Sequence, residues 1–181
     1  MHRNDLIQQL EIYQKKWENE APTVQRFIDF ITSNEDCFES LLKAGHITSS
    51  AWLVNNDGTR VLLTHHKKLN KWIQLGGHAD GDSDVCRSAL REAREESGLK
   101  DVELLSPQIF DMDIHDIPSR PGEAAHLHYD IRYAMRAAGN EDYIVSDESH
   151  DLAWINVDDL AKYTKEESVL RMAAKWRVFK K

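Results

Sequence analysis

The order of apolar and polar residues predicts helices first, then mainly strands, and helices again at the end. Through about the first forty residues, apolar side chains recur at helical spacing and form two stripes. The stripes are Leu6, Leu10, Tyr13 and Trp17, and then Val24, Phe27, Ile28 and Ile31. From Ile47 the pattern changes to apolar, β-branched runs over 47–54 and 61–64, separated by turn-forming residues at 55–58. This change predicts a β-hairpin after the helices.

Beyond the hairpin, the pattern predicts further short strands and helices. A strand at 72–75 is expected to end in Gly76 and Gly77, and a helix at 84–97 is expected to end at Gly98. Extended segments are predicted at 102–117, 126–135 and 152–155, and closing helices at 158–163 and 167–178. This mixed order is typical of an α/β or α+β layered fold and argues against a purely parallel sheet.

Composition favours a single globular domain. A chain of 181 residues with 41% hydrophobic content suffices for one well-buried core but is short for two. No apolar run approaches the roughly 20 residues that span a bilayer, and the N-terminus does not resemble a secretion signal. Cys37 and Cys86 match neither a disulfide framework nor a paired metal-ligand spacing. We therefore expect a cytosolic protein with reduced thiols and no membrane partner.

The net charge restricts the class of partner. A charge of −8 and a pI near 5.6 argue against nucleic-acid binding, which requires a basic surface to neutralise phosphates. An anionic small molecule would need local help from a bound cation.

Three carboxylates concentrate in the segment from Arg91 to Leu99. On a helix, Glu92, Glu95 and Glu96 stand at i, i+3 and i+4 and project from one face. Their mutual repulsion is relieved by a divalent cation, and Mg²⁺ prefers oxygen ligands. The alternative is a solvated face on which neighbouring arginines pair with the glutamates. The double glycine and acidic loop before the helix favour a ligand site, because backbone can approach a ligand closely there.

The stretch from Gly77 to Leu99 resembles the signature of the Nudix hydrolase family. That signature is a glycine, five residues, a glutamate, seven residues, and then Arg-Glu-hydrophobic-any-Glu-Glu-any-Gly-hydrophobic. Gly77, Arg91, Glu92, Ala93, Glu95, Glu96, Gly98 and Leu99 match in register, whereas Ser83 replaces the first glutamate between Asp82 and Asp84. The resemblance implies a Nudix-like mixed β-sheet sandwiched between helices over residues 46–181. Residues 1–45 would then be an N-terminal helical extension that caps the sheet or forms a homodimer contact.

The resemblance also implies roles for individual residues. Glu92, Glu95 and Glu96, with a carbonyl of Gly76 or Gly77, would bind Mg²⁺ or Mn²⁺. Arg91 would orient the glutamates, and Glu92 or Glu95 would activate water. Glu148 lies in a loop before the last strand and is expected as an extra ligand or base, or else as a solvated loop acid. Asp82 or Asp84 is a candidate to replace the glutamate missing at Ser83.

The implied reaction is metal-dependent hydrolysis of a diphosphate linkage in a nucleoside diphosphate derivative or a related small molecule. A second hypothesis is a Nudix-like nucleotide-binding or regulatory domain without turnover, which the serine at position 83 suggests. A third is an isoprenoid diphosphate isomerase, which shares the fold but needs a catalytic cysteine. Cys86 is predicted to face the core, and Cys37 lies outside the predicted domain.

Histidines provide a second group of candidate residues. On a strand, His126, His128, Asp130 and Arg132 share one face. We expect His126 and His128, together with His78 in the signature loop, to contact substrate. Two alternatives stay open: a transition-metal site, because imidazole is a common zinc ligand, and an ordinary hydrogen-bonded sheet face. Trp52, Trp72 and Trp154 are predicted to be core residues rather than base-stacking residues.

Overall fold

A mixed β-sheet with helices packed on both faces forms the protein. The structure is a computed structural model that describes residues 3–120, 122, 124–147 and 149–179. The strands are β1 (His46–Val54), β2 (Arg60–His66), β3 (Lys71–Ile73), β4 (Leu75–His78), β5 (Val102–Leu104), β6 (Asp111–Ile117), β7 (His126–Ala137) and β8 (Ser149–Asn156). The α-helices are α1 (Arg3–Lys16), α2 (Ala21–Ser33), α3 (Val85–Ser97) and α4 (Glu167–Phe179), and short 3₁₀ helices cover Glu18–Glu20 and Val157–Lys162.

Strand β1 lies at the centre of the sheet. One of its edges runs parallel to β7, from the pair His46↔His128 onward. Its other edge pairs antiparallel with β4, at Thr48↔His78 for example, and with β2 at Val54↔Val61. Strands β5 and β6 pair with β7, and β2 pairs with β3 and β8. The end of β4 therefore lies between the centre of the sheet and the start of α3.

Helix α3 begins and ends as its sequence predicts. Asp84 caps it by accepting a hydrogen bond from the backbone N–H of Arg87 at 3.1 Å. Gly98 ends it with φ of 70°, a left-handed conformation that glycine adopts without steric cost. Val85, Ala89 and Ala93 are buried against the sheet. This packing leaves the glutamate face at the edge of the core.

Two apolar clusters fill the two sides of the sheet. The first contains residues of α1, α2 and α3, and in it the Phe30 ring stacks on Tyr129 with centroids 3.9 Å apart. The second joins α4, which contributes Trp176, to sheet residues such as Trp52. The apolar stripes predicted for the N-terminal helices thus cap the sheet within the chain. Among the described residues, none of the helices is long and apolar enough to cross a membrane.

The mixed sheet and its flanking helices confirm the predicted fold class, while three segments differ in detail. The strand predicted at 72–75 divides at Gln74, because β3 pairs with β2 whereas β4 pairs with β1. Gly76 and Gly77 therefore lie inside β4 instead of ending a strand. The extended segment 102–117 divides into β5 and β6, and the helix predicted at 158–163 is a 3₁₀ helix. The two divided segments reflect strand pairing, because β4 pairs with β1, and β5 and β6 each pair with β7.

Candidate active site

Arg91 links the carboxylate face of α3 to the end of β4. Its Nη2 donates to the backbone carbonyl of His78 at 3.1 Å, and its Nη1 lies 2.7 Å from Glu92 Oε1 and 3.1 Å from Glu95 Oε2. Partial burial would lower the pKa of Arg91, but the charges of Glu92 and Glu95 raise this pKa above its ordinary value. Arg91 therefore stays charged and holds two of the three carboxylates in place.

The double glycine gives the carboxylates room against β4. A Cβ atom at Gly77 would lie only 2.6 Å from the Glu92 carboxyl carbon, so the glutamate packs where a side chain would otherwise stand. The backbone N–H of Gly76 donates to Glu96 Oε2 at 2.9 Å. The strand backbone thus contacts two of the three glutamates directly.

The three carboxylates form a gradient from solvent to core. The Glu95 side chain is 62% exposed and that of Glu92 is 14% exposed, while Glu96 as a residue is 6% exposed. Arg94, which the solvated-face alternative would pair with glutamates, donates to the Val102 carbonyl at 3.2 Å. An all-oxygen set beside a side-chain-free strand position fits Mg²⁺ or Mn²⁺, which favour oxygen ligands and retain waters.

The acidic residues around Ser83 support the start of α3. Asp82 accepts two hydrogen bonds from the Arg87 side chain, at 2.9 and 2.7 Å, and one from the Asp84 backbone N–H at 2.8 Å. The hydrogen bond from Arg87 holds the pKa of Asp82 below its ordinary value. Asp84 caps the helix. Both carboxylates therefore shape the loop and the helix start.

Four histidines cluster on the face of β4 that points away from α3. The parallel pairing His46↔His128 and the antiparallel pairing Thr48↔His78 bring β1, β4 and β7 together there, and His126 joins from β7. The ring centroid of His46 lies 4.8 Å from that of His78 and 4.6 Å from that of His128. Ring nitrogens of His46, His78 and His128 all lie within 4.8 Å of one another. We call these three residues the histidine cluster.

Burial keeps two of these imidazoles neutral. His46 is 2% exposed, and neither of its ring nitrogens has a hydrogen-bond partner. Desolvation by burial, reinforced by the neighbouring histidines, lowers the pKa of His46 to about 4 and that of His128 to about 3. Both rings are therefore uncharged near pH 7. His46 was not among the residues predicted from the sequence, because its partners are more than thirty and more than eighty residues away along the chain.

The rest of this sheet face is a buried ion-pair network. Arg132 is fully buried and donates to Asp130 and Asp111, at 2.7 Å each, and to His115 Nε2 at 2.8 Å. Ser50 donates to Asp130 at 2.7 Å. Burial would raise the pKa of Asp130, but the charge of Arg132 holds this pKa below its ordinary value. The structure thus confirms that His126, His128, Asp130 and Arg132 share one face, and it shows the last two already engaged.

The remaining candidate residues have simple outcomes. Glu148 lies outside the described residues. Trp52 is fully buried in the second apolar cluster, as predicted for a core residue. Trp72 in β3 is partly buried against the second cluster, and Trp154 in β8 is partly buried against the first. Trp154 Nε1 donates to the Glu141 carbonyl at 2.8 Å.

Comparisons with known proteins agree with this architecture. A family model described as the NUDIX domain matches residues 45–176. A solved structure of a NUDIX-family hydrolase from Clostridium perfringens is 27% identical with a TM-score of 0.56, and the match covers 74% of this chain and 97% of that one. A search of curated proteins found no match.

Two further solved structures share the fold at lower identity. An Ap4A hydrolase from C. elegans, in a binary complex, is 16% identical with a TM-score of 0.59 over 74% of this chain and 96% of that one. A MutT protein from Methanosarcina mazei Go1 is 19% identical with a TM-score of 0.56 over 78% of this chain and 99% of that one. The family match spans most of the chain and includes the carboxylate helix. The chain therefore belongs to the Nudix family and is a Nudix-type hydrolase.

Proposed function

We propose that the protein cleaves a diphosphate linkage in a nucleoside diphosphate derivative or a related small molecule, using Mg²⁺ or Mn²⁺. Glu92, Glu95, Glu96 and the carbonyl of Gly76 would hold the metal. The observation that carries the proposal is the graded carboxylate face of α3, packed on the double glycine and fixed by Arg91. On a merely solvated acidic helix, the carboxylates would point into water and would not pack on a neighbouring strand.

The side chains divide the work by exposure. Bound Mg²⁺ or Mn²⁺ would neutralise the diphosphate and lower the pKa of a coordinated water. Glu95 is the most exposed of the three carboxylates and is available to accept a proton from that water, and Glu92 is the second candidate. Arg91 positions both. Glu148 is proposed as an additional ligand or base on its place in the sequence alone.

We propose that His78, His126 and His128 form part of the substrate-binding surface. All three are partly exposed, and His78 directly follows the double glycine. A neutral imidazole donates one hydrogen bond and accepts another, so these rings suit the oxygen atoms of a phosphate, sugar or base. The names of the similarly folded Ap4A hydrolase and MutT protein make nucleotides the first compounds to test.

The two other hypotheses have less support. Loss of turnover would be expected to remove metal ligands first, whereas all three helical glutamates are present. For an isomerase, burial raises the pKa of both Cys37 and Cys86 to about 11, so neither thiol ionises readily near neutral pH. Hydrolysis remains the function that the site supports best.

The decisive experiment compares two exposed glutamates that each pair with an arginine. The panel contains nucleoside triphosphates, nucleotide sugars, ADP-ribose, dinucleoside polyphosphates and NADH, with Mg²⁺ or Mn²⁺ and with chelator. Glu95→Gln should reduce product release by at least about 100-fold, the scale expected for loss of a proton-accepting group. Glu103→Gln is the control, because Glu103 is 56% exposed and lies 3.1 Å from Arg136. Equal activity of wild type and Glu95→Gln would contradict the assigned role of Glu95.

Absence of activity of the wild type across this panel, in a folded protein that binds Mg²⁺ or Mn²⁺, would favour the binding-domain alternative.

We also propose that residues 1–45 are a helical extension and that residues 46–181 form the hydrolase domain. The cytosolic location, the homodimer and the lack of a nucleic-acid partner remain predictions from the sequence.

A further inference from the structure

We propose that His46, His78 and His128 bind a transition-metal ion of the zinc type, at a site separate from the glutamates of α3. The proposal does not depend on the identity of the substrate. It rests on the placement of three imidazoles by three different strands and on an unsatisfied histidine at their centre.

The geometry is close to that of a bound ion. A tetrahedral zinc site with Zn–N bonds of about 2.0–2.1 Å places its nitrogen ligands about 3.3 Å apart. The ring nitrogens of the histidine cluster lie within 4.8 Å of one another. Side-chain rotations that move each ring nitrogen by about 1 Å would therefore bring the three nitrogens into bonding positions. Backbone pairing of β1 with β4 and β7 holds the three Cα positions in place.

His46 provides the independent sign of a missing partner. Its residue is 2% exposed and both ring nitrogens lack a hydrogen bond, although buried polar groups are nearly always satisfied. The rings of His78, His126 and His128 surround His46, with ring centroids 4.6–5.1 Å from its own. A metal ion among the rings would be bound by a lone pair of His46 that accepts no hydrogen bond.

His126 acts as a positioning residue for His128. The Ala124 carbonyl can only accept a hydrogen bond, so the contact of 2.9 Å places the proton of His126 on Nδ1. In neutral His126, Nε2 then accepts from the Nε2–H of His128 at 3.1 Å. This chain of hydrogen bonds leaves Nδ1 of His128 as the nitrogen with a free lone pair. Such outer partners commonly orient metal-binding histidines.

The two candidate metal sites differ in donor type and in position. Gly77 faces the glutamates of α3, and the next residue, His78, points to the opposite face of β4. Three nitrogens favour Zn²⁺, Co²⁺, Ni²⁺ or Cu²⁺, whereas the carboxylates favour Mg²⁺ or Mn²⁺. Because His78 and His128 are only partly buried, a fourth coordination position is accessible to water or an oxyanion.

The test measures metal binding, not turnover. Chelator-treated protein is titrated with Co²⁺, with visible d–d absorption as the readout, and with Zn²⁺ in competition. With excess Mg²⁺ present to occupy the carboxylates, wild type should bind one Co²⁺ and show the spectrum of four-coordinate, near-tetrahedral Co²⁺. His78→Asn and His128→Asn should each weaken binding at least about tenfold. These partly exposed positions are chosen because substitution of buried His46 risks unfolding.

Two controls make the result decisive. His65→Asn carries the same substitution at a histidine outside the cluster and should leave Co²⁺ affinity unchanged. Glu92→Gln should also leave the Co²⁺ spectrum unchanged. Retention of full affinity in His78→Asn and His128→Asn would overturn the proposal. So would loss of the Co²⁺ spectrum in Glu92→Gln alone, because the ion would then belong to the carboxylates.

Discussion

Replacement of Gly77 by alanine should separate activity from stability. The added Cβ would lie 2.6 Å from the Glu92 carboxyl carbon and 2.6–2.8 Å from its oxygens. Ordinary contacts are about 3.5 Å or longer, so the carboxylate must move by about 1 Å. The atoms that must move are the end of a flexible side chain. The expected loss of stability is therefore only about 1 kcal/mol, the cost of an unfavourable rotamer.

The catalytic cost should be larger, because Glu92 is a proposed metal ligand and Arg91 holds it in place. A displacement of about 1 Å can reduce turnover about 100-fold, or about 2.7 kcal/mol of transition-state stabilisation. The assay is kcat/KM on the substrate that the panel identifies, beside urea unfolding of the same variant. Glu92 should also bind Mn²⁺ more weakly as its carboxylate is displaced.

Gly139→Ala is the matched control for Gly77→Ala. There the new Cβ would lie 2.7 Å from Oδ2 of Asp101, which is also the end of a flexible carboxylate side chain. Asp101 is not one of the proposed metal ligands. This variant should retain kcat/KM within about twofold, since it perturbs none of the proposed ligands. Full activity in Gly77→Ala, or an equal loss in both variants, would contradict the metal-binding role assigned to Glu92 at this position.

Two further predictions concern stability. Arg132→Met removes a fully buried guanidinium from its ion pairs with Asp111 and Asp130. Asp111 keeps Arg171 and Lys175, whereas buried Asp130 loses its arginine partner, so we expect a loss of about 3–5 kcal/mol in urea unfolding. A loss below about 1 kcal/mol would contradict the assigned network. The second follows from the pKa values of His46 and His128, which burial lowers from 6.5 to about 4 and about 3. The unfolded chain takes up protons first, so metal-free protein should lose stability as the pH falls from about 6.5 towards 3. His128→Asn should make stability depend less on pH over this range. An unchanged pH profile in this variant would contradict the assignment of the effect to His128.

Much of the carboxylate site followed from local sequence. The spacing of Glu92, Glu95 and Glu96 places them on one face of any α-helix, and Asp84 and Gly98 are residue types that begin and end helices. The alternation over 126–135 likewise predicted which side chains of β7 share a face. These features depend on neighbours within a few residues, which is why the chain alone determines them.

The tertiary structure alone decided which distant residues meet. His46 joins His78 and His128 only because β1 pairs with β4 on one edge and with β7 on the other. The same pairing divides β3 from β4 at Gln74, since the chain passes there from one partner strand to another. Strand pairing and burial depend on the whole folded chain, and local periodicity carries no information about the partner.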